Sequence, residues 1–299
     1  MFRVLKNVRN LSTAAMTQTE LSLPVPWGEI RGKIWGPDDG RPVLCLHGWA
    51  DNCGTFNTLI PLLPKECQYV AVDLAGHGQS SHRPPGVFYA FSSYVADIRR
   101  VVDALRWSRF SILGHSMGGN IAGMKELSTV MRKGMEDMLQ FEKNPEKSER
   151  VYTYEKAVER LLAANPMLSE ASVCTLLERG LVQVEGGFVF SRDFRINLKN
   201  IARISLEQSL ELQSKIQASV LVVLADEGFE KIFAEADQKK YTSVLLQGFR
   251  YQNHSVVTVH GGHHVHLNNP EVVAPLVSEF LHNKVLSSPV RADELSPKL

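Results

Sequence analysis

The five residues Gly114-His115-Ser116-Met117-Gly118 set a serine between two glycines, directly after the apolar run F-S-I-L and directly before residues with helical spacing. In that context a G-x-S-x-G reads as a sharp strand-to-helix turn that presents the Ser116 hydroxyl as a nucleophile for a carbonyl carbon. Such an attack needs two kinds of help. Hydrogen-bond donors must meet the charge that develops on the carbonyl oxygen, and a base must take the hydroxyl proton. The loop L-H-G-W-A-D-N, Leu46 to Asn52, can aim the Trp49 backbone N–H at the same point as the Met117 N–H, so these two amides are the expected oxyanion hole. His47 is expected to order that loop rather than to move protons. The loop D-L-A-G-H-G-Q-S, Asp73 to Ser80, is expected to shape the site, with His77 and His82 structural or exposed. The base has to come from V-T-V-H-G-G-H-H-V-H-L-N-N-P, Val257 to Pro270, whose four histidines are all candidates. Histidine clusters also bind metals, but this one has no carboxylate or cysteine close by in sequence to complete a tetrahedral set. No metal and no cofactor is expected.

These residues must be held at the carboxyl edge of a sheet, and the elements that would hold them can be read off. Leu21 to Trp35 alternates apolar and polar residues about a Trp-Gly turn, the pattern of an antiparallel hairpin. P-V-L-C-L, Y-V-A-V-D and F-S-I-L-G are short continuous apolar runs, the pattern of parallel strands buried on both faces. Between the last two, a segment capped by Ser92 or Ser93 puts Val95, Ile98, Val102 and Leu105 on one face, which predicts a crossover helix. Strand patterns return in S-V-L-V-V-L and S-V-V-T-V, and a final helix begins at Pro270. The intervening stretch is charged and helical, with Ser169 as an N-cap, Gly180 as a stop and a small hairpin about Gly186-Gly187. The expected fold class is therefore α/β: a mostly parallel sheet flanked by helices, with a helical cap inserted. We place the core at residues 19–124 and 218–285, the cap at 125–217, an N-terminal extension at 1–18 and a flexible tail at 286–299.

H-G-W, D-L-A-G-H-G-Q-S, G-H-S-M-G-G and the late G-G-H-H-V-H-L-N-N-P together resemble the α/β-hydrolase superfamily. More narrowly, V-P-W-G-E-I, V-L-C-L-H-G-W-A-D-N, F-N-T-L-I-P-L-L-P and R-R-V-V-D-A-L-R-W-S-R-F-S-I-L-G-H-S are similar to the serine hydrolase-like proteins, over roughly Leu21 to Lys284. The resemblance implies hydrolysis of an ester-like bond in a small substrate, and Phe141, Tyr152, Tyr154, Leu161 and Leu162 are expected to give the cap an apolar face suited to a hydrophobic one. The resemblance also implies which histidine acts. The superfamily's late motif reads G-H-x-x-H-x-x-x-P with its first histidine catalytic, and counting back from Pro270 and His266 gives that role to His263, with His264 as the runner-up. The triad acid is expected just past S-V-L-V-V-L, where the chain offers Asp226 and Glu227 while Gly228 stands closer to the usual position; we take Asp226. Relatives with dehalogenase or epoxide hydrolase chemistry need a carboxylate where this chain has Ser116.

One departure bears on activity. In the resembled family a loop and a buried strand follow the helix after the serine, before the cap begins. Here Ile121, Met124, Leu127, Met131, Met135 and Met138 continue at helical spacing instead. The missing unit would be roughly 20–25 residues. That points to a spliced or mispredicted form, catalytically impaired or acting only by binding; the other reading is a viable hydrolase with a shorter sheet. In some relatives the triad acid ends that strand, so it is either Asp226 or Glu227, or lost with the strand.

Composition narrows the remaining classes. With 44% hydrophobic residues, 22% charged residues and a net charge of +1, the 299-residue chain is an ordinary globular sequence with no charge bias toward nucleic acid. No apolar run approaches the roughly 20 residues of a membrane-spanning helix. Four scattered cysteines, without a C-x-x-C pair, fit a reducing intracellular compartment, with Cys45 in the core and Cys53 a bystander. The ends carry two addresses. Arg3, Lys6 and Arg9 with no acid before Glu20 have the composition of a mitochondrial transit peptide, unless translation starts at Met16. Pro297-Lys298-Leu299 is one residue from the peroxisomal S-K-L, and cytoplasm is the default. Nothing in the sequence fixes the oligomeric state.

Overall fold

The computed structural model describes residues 16–116, 150–197, 206–228, 236–251 and 254–287. The alternating segment near the start forms an antiparallel hairpin, β1 (Gln18–Val25) and β2 (Gly28–Trp35), with Val25 opposite Gly28. Pro26 and Trp27 make the turn, and Gly28 opens the second strand at φ +144°, where an added Cβ would strike the Ser81 side chain. The three apolar runs become β3 (Arg41–Leu46), β4 (Cys67–Val72) and β5 (Ser111–Gly114). Strand order is β1-β2-β4-β3-β5, with β3 parallel to both of its neighbours.

The inner strands β3 and β4 are apolar without interruption because both of their faces are covered, whereas β5, expected to be buried on both faces, leaves Ile112 59% exposed. Val43, Cys45, Tyr69 and Ala71 point to one face, and Leu44, Val70 and Val72 to the other. The second face is roofed by α1 (Phe91–Ala104), the expected crossover helix, with two corrections. Its N-cap is Ala90, so Ser92 and Ser93 lie inside the first turn. Its buried stripe runs through Tyr94, Val101 and Val102, while Val95 is 55% exposed. The stripe is rotated because Asp97 is also turned inward, where it pairs with the buried Arg83.

The inserted region holds α2 (Tyr154–Ala164) and α3 (Glu170–Gly180), capped by the Thr153 and Ser169 side chains, followed by the hairpin β6 (Leu181–Val184) and β7 (Gly187–Phe190). Ala157, Leu168, Val173, Leu176 and Leu177 form its core, against which Tyr152, Leu161 and Leu162 pack. Of the residues expected to give this region an apolar face, Tyr152, Leu161 and Leu162 are partly buried against that cluster and Tyr154 is exposed, while Phe141 lies outside the described residues.

After α4 (Leu206–Ser214) the chain returns as β8 (Leu221–Glu227), α5 (Ala236–Tyr251) and β9 (Ser255–Gly262), the two strands pairing in parallel. It ends with the short α6 (Val265–Asn268) and with α7 (Pro270–Leu281), which has Pro270 in its first turn. Among the described residues no strand joins β5 to the β8–β9 pair, so the sheet is in two pieces. The apolar face of α7 spans both. Val273, Ala274, Val277 and Leu281 share one core with Val43 and Tyr69, and Ala225 and Val259 pack against it. The segment from Ile121 to Met138, expected to be helical, lies outside the described residues, as do the two terminal segments in which targeting signals are expected. No described helix is long and apolar enough to cross a membrane.

Candidate active site

The loop after β3 is built around two histidines that bond to backbone at both ring nitrogens. His47 Nδ1 donates to the Gly48 carbonyl at 2.7 Å and Nε2 accepts the Leu74 N–H at 2.9 Å. His77 Nδ1 donates to the Ala75 carbonyl at 3.1 Å and Nε2 accepts the Ala50 N–H at 3.2 Å. Each must therefore be neutral, and burial holds both below the ordinary histidine range. Together they fix a loop that carries Ala50 at φ 60°, a conformation L-residues seldom adopt. His47 orders the loop as expected. Gly48 brings the loop against the serine: a Cβ there would lie 3.0 Å from His115 Nδ1 and 3.1 Å from Ser116 Cβ. Trp49, the expected donor of one oxyanion amide, follows directly, with its indole 40% exposed. Met117, the other expected donor, lies outside the described residues.

Ser116 sits at φ 58°, in the left-handed region, at the end of β5. A serine held there is the strained turn expected from G-x-S-x-G. His263 Nε2 lies 2.9 Å from Ser116 Oγ, across 147 residues of chain. Burial lowers the His263 pKa, which favours the neutral ring a base requires. The other histidines of the segment go elsewhere. His260 is exposed, His264 is half-buried behind the serine, and His266 is buried with Nε2 on Thr55 Oγ1 at 2.7 Å.

Asp226 is brought to a different partner from the one expected. Beyond the Ala225–Val259 pair the ladder shifts, and Glu227 next pairs with Gly262. Asp226 caps the bulge this creates in β9: Oδ2 lies 3.1 Å from His260 Nδ1, and Oδ1 accepts the Gly261 N–H at 2.9 Å. No hydrogen bond joins Asp226 to His263 among the described residues. Its reach is to the strand that carries His263, not to the His263 ring. Gly228 is nearer that residue, since a Cβ there would lie 3.4 Å from His263 Cα.

Two features had no sequence signal. The first ties α3 of the inserted region to the loops after β3 and β4. Arg179, at the end of α3, is 3% exposed and meets the fully buried Asp73 through Nε at 3.0 Å and Nη2 at 2.9 Å. Asp73 also accepts the Cys53 N–H at 2.8 Å and the Gln79 N–H at 2.9 Å, so one carboxylate joins both active-site loops to the cap. Asn52 strengthens the tie by donating to the Leu176 carbonyl at 2.9 Å. The second is a partly buried cluster next to the serine, where Asp51, His115 and His264 bring ligand-type atoms within 4.8 Å of one another. Its members come from three loops separated in sequence, so no local spacing could reveal it.

Comparison with known proteins follows this geometry. A family model described as alpha/beta hydrolase fold matches residues 41–124. The chain is 51% identical to a serine hydrolase-like protein of Danio rerio, with 92% of each chain covered. It is 39% identical to serine hydrolase-like protein 2 of Homo sapiens, covering 88% of this chain and 94% of that one. A solved structure of a hypothetical protein from Pseudomonas aeruginosa PAO1 superposes with a TM-score of 0.77 at 28% identity, covering 88% of this chain and 99% of that one. The Danio alignment runs over 303 positions but takes in 92% of 299 residues, about 275, so roughly 28 positions face gaps on this side.

Proposed function

The chain belongs to the serine hydrolase-like proteins of the α/β-hydrolase fold, and on that premise we propose that it hydrolyses an ester-like bond with Ser116 as nucleophile and His263 as base. The observation that carries this reading is the 2.9 Å approach of His263 Nε2 to Ser116 Oγ, with the serine at φ 58°. In the reaction Ser116 Oγ attacks the substrate carbonyl carbon while its proton passes to His263 Nε2. The resulting oxyanion is met by the Trp49 amide and by that of Met117. His263 returns the proton to the leaving alcohol, and a water activated by the same ring releases the acid. Asp226 acts one step back, by fixing the β9 bulge from which the His263 loop departs. We take the substrate to be a small apolar ester bound beneath residues 125–217 as a cap.

A second reading, a catalytically impaired form, has its own observation. Among the described residues the sheet is broken between β5 and β8, where the family continues it, and the aligned relatives carry residues this chain lacks. One experiment separates the two. Purified full-length protein and its Ser116→Ala variant are treated with a fluorophosphonate, which bonds only to an activated serine. Labelling that disappears in Ser116→Ala supports the hydrolase. Folded protein that takes no label would leave the impaired form.

A further inference from the structure

We propose that Asp51, His115 and His264 form a binding site for a divalent transition metal of the Zn²⁺ type, set directly behind the nucleophile. The argument begins with one imidazole. His115 Nε2 lies 3.0 Å from the His263 carbonyl oxygen, which can only accept, so Nε2 carries the ring hydrogen. The lone pair is therefore on Nδ1, and that atom is buried without a hydrogen-bond partner. It faces Asp51 Oδ2 at 3.9 Å, which is also buried without a partner, in a residue only 8% exposed. Two acceptors thus confront each other in the interior. Leaving both unsatisfied is costly, and a cation is what such a pair lacks.

The third group makes the choice between a proton and a metal. A proton could bridge Asp51 and His115 but would leave His264 out. All three ligand atoms lie within 4.8 Å of one another. Tetrahedral Zn²⁺ with bonds of about 2.1 Å sets its ligand atoms about 3.4 Å apart, so small side-chain rotations close the set. Two imidazoles and a carboxylate are a common zinc donor set, and the fourth position would take water. The bond from His115 Nε2–H to a backbone carbonyl is also the outer-shell contact that orients metal-ligating histidines.

The site would have a structural consequence. Asp51 belongs to the loop after β3, His115 precedes Ser116 and His264 follows His263. A bound ion would clasp the segments of Ser116 and His263 together, between β5 and β9, which no strand of the described residues links.

The test measures metal rather than activity, so its outcome is independent of whether Ser116 hydrolyses anything. Tag-free full-length protein, stripped with chelator, is equilibrated with Zn²⁺ and the bound metal counted; Co²⁺ then reports geometry through its visible absorption. The expected result is one Zn²⁺ per chain, a tetrahedral Co²⁺ spectrum and a higher thermal midpoint. Asp51→Asn and His264→Gln should each weaken binding at least about tenfold. His260→Gln, altering an exposed histidine outside the cluster, should leave it unchanged. Absence of saturable 1:1 binding, or binding that survives His264→Gln but is lost in His260→Gln, would overturn the proposal. His264 is only half-buried, so that variant decides the matter even if Asp51→Asn fails to fold.

Discussion

Replacing Arg179 with methionine tests whether the cap and the active-site loops depend on one buried charge pair. Asp73 is fully buried and accepts from the Cys53 and Gln79 amides and from Arg179 Nε, with Arg179 Nη2 at ion-pair distance. Arg179→Met keeps most of the side-chain volume but leaves Asp73 with the two amides alone. Breaking a buried ion pair from one side costs about 3–5 kcal/mol, because the remaining charge stays desolvated. The surviving amide bonds argue for the lower end. Loss of the Arg179–Glu20 contact, at 2.9 Å but half-exposed on the glutamate side, adds at most about 1 kcal/mol. We therefore expect a loss of about 3–4 kcal/mol in urea unfolding, or roughly 5–6 °C in thermal midpoint for a chain of this size. Glu20→Gln alone should cost less than about 1 kcal/mol. Adding Asp73→Asn to Arg179→Met should recover part of the loss by removing the orphaned charge, whereas Asp73→Asn alone should destabilise. Fluorophosphonate labelling should slow in Arg179→Met, since Cys53 and Gln79 anchor the loops beside Ser116. A loss below about 1 kcal/mol, or simple additivity of the two changes, would show that the pair does not hold the cap.

Two further outcomes follow from the same geometry. Asp226→Ala, which frees the β9 bulge while leaving the His263–Ser116 contact in place, should lower kcat by about tenfold; a fall near 10⁴ with the fold intact would instead make Asp226 the triad acid. The second concerns acid stability. Burial depresses the pKa values of His47, His77, His115, His263, His264 and His266, so their stabilising contribution is complete above the unfolded value of about 6.5 and is lost as pH falls below it. A ring that stays neutral in the fold contributes about 1.4 kcal/mol of loss between pH 7.5 and 5.5. Asp51, raised to about 7, works in the opposite direction but is one group against six. Urea unfolding with chelator present should show a net loss of at least about 3 kcal/mol between those pH values, and an unchanged midpoint would contradict the neutral assignment of these rings.

The parts of the site that could be read from the sequence are those whose physics is local. A serine flanked by glycines after a buried strand needs only its neighbours to reach φ 58°, and H-G-W carries the glycine that lets the loop approach it. His263 needed more, because four histidines share its segment and only the spacing to Pro270 in the resembled family separated them. The contacts of Asp226 with His260 and Gly261 could not be foreseen, for a structural reason. A bulge changes which residue faces which, and no alternation pattern announces one. The face of α1 was displaced by similar means, since an inward Asp97 looks solvent-exposed until Arg83, from another loop, supplies its charge. The Asp51–His115–His264 cluster and the Arg179–Asp73 pair are long-range juxtapositions with no local sequence signal.

Among the described residues no strand links β5 to β8, which bears on what holds Ser116 and His263 together. In a continuous parallel sheet the nucleophile strand and the histidine strand are linked through the ladder between them, and their relative position is set by backbone hydrogen bonds. Here the described residues provide no such ladder from β5 to β8. The link runs instead through loops and one helix. His115 bonds to the His263 carbonyl, Thr55 meets His266, Thr58 donates to the Leu267 carbonyl at 3.1 Å, and α7 packs against both pieces of sheet. Three such hydrogen bonds, at about 1 kcal/mol net each, are a weaker constraint than a paired strand with its side chains packed on both faces. His263 can then reach Ser116 at 2.9 Å and yet be held there less firmly than a ladder would hold it. Since a displacement of about 1 Å can cost a hundredfold in rate, a slow enzyme and an intact-looking dyad are compatible in this chain. The quantity that would report this is the rate of fluorophosphonate labelling rather than its occurrence. It should rise when the Asp51–His115–His264 site is occupied, provided the clasp fixes His263 without drawing it off Ser116.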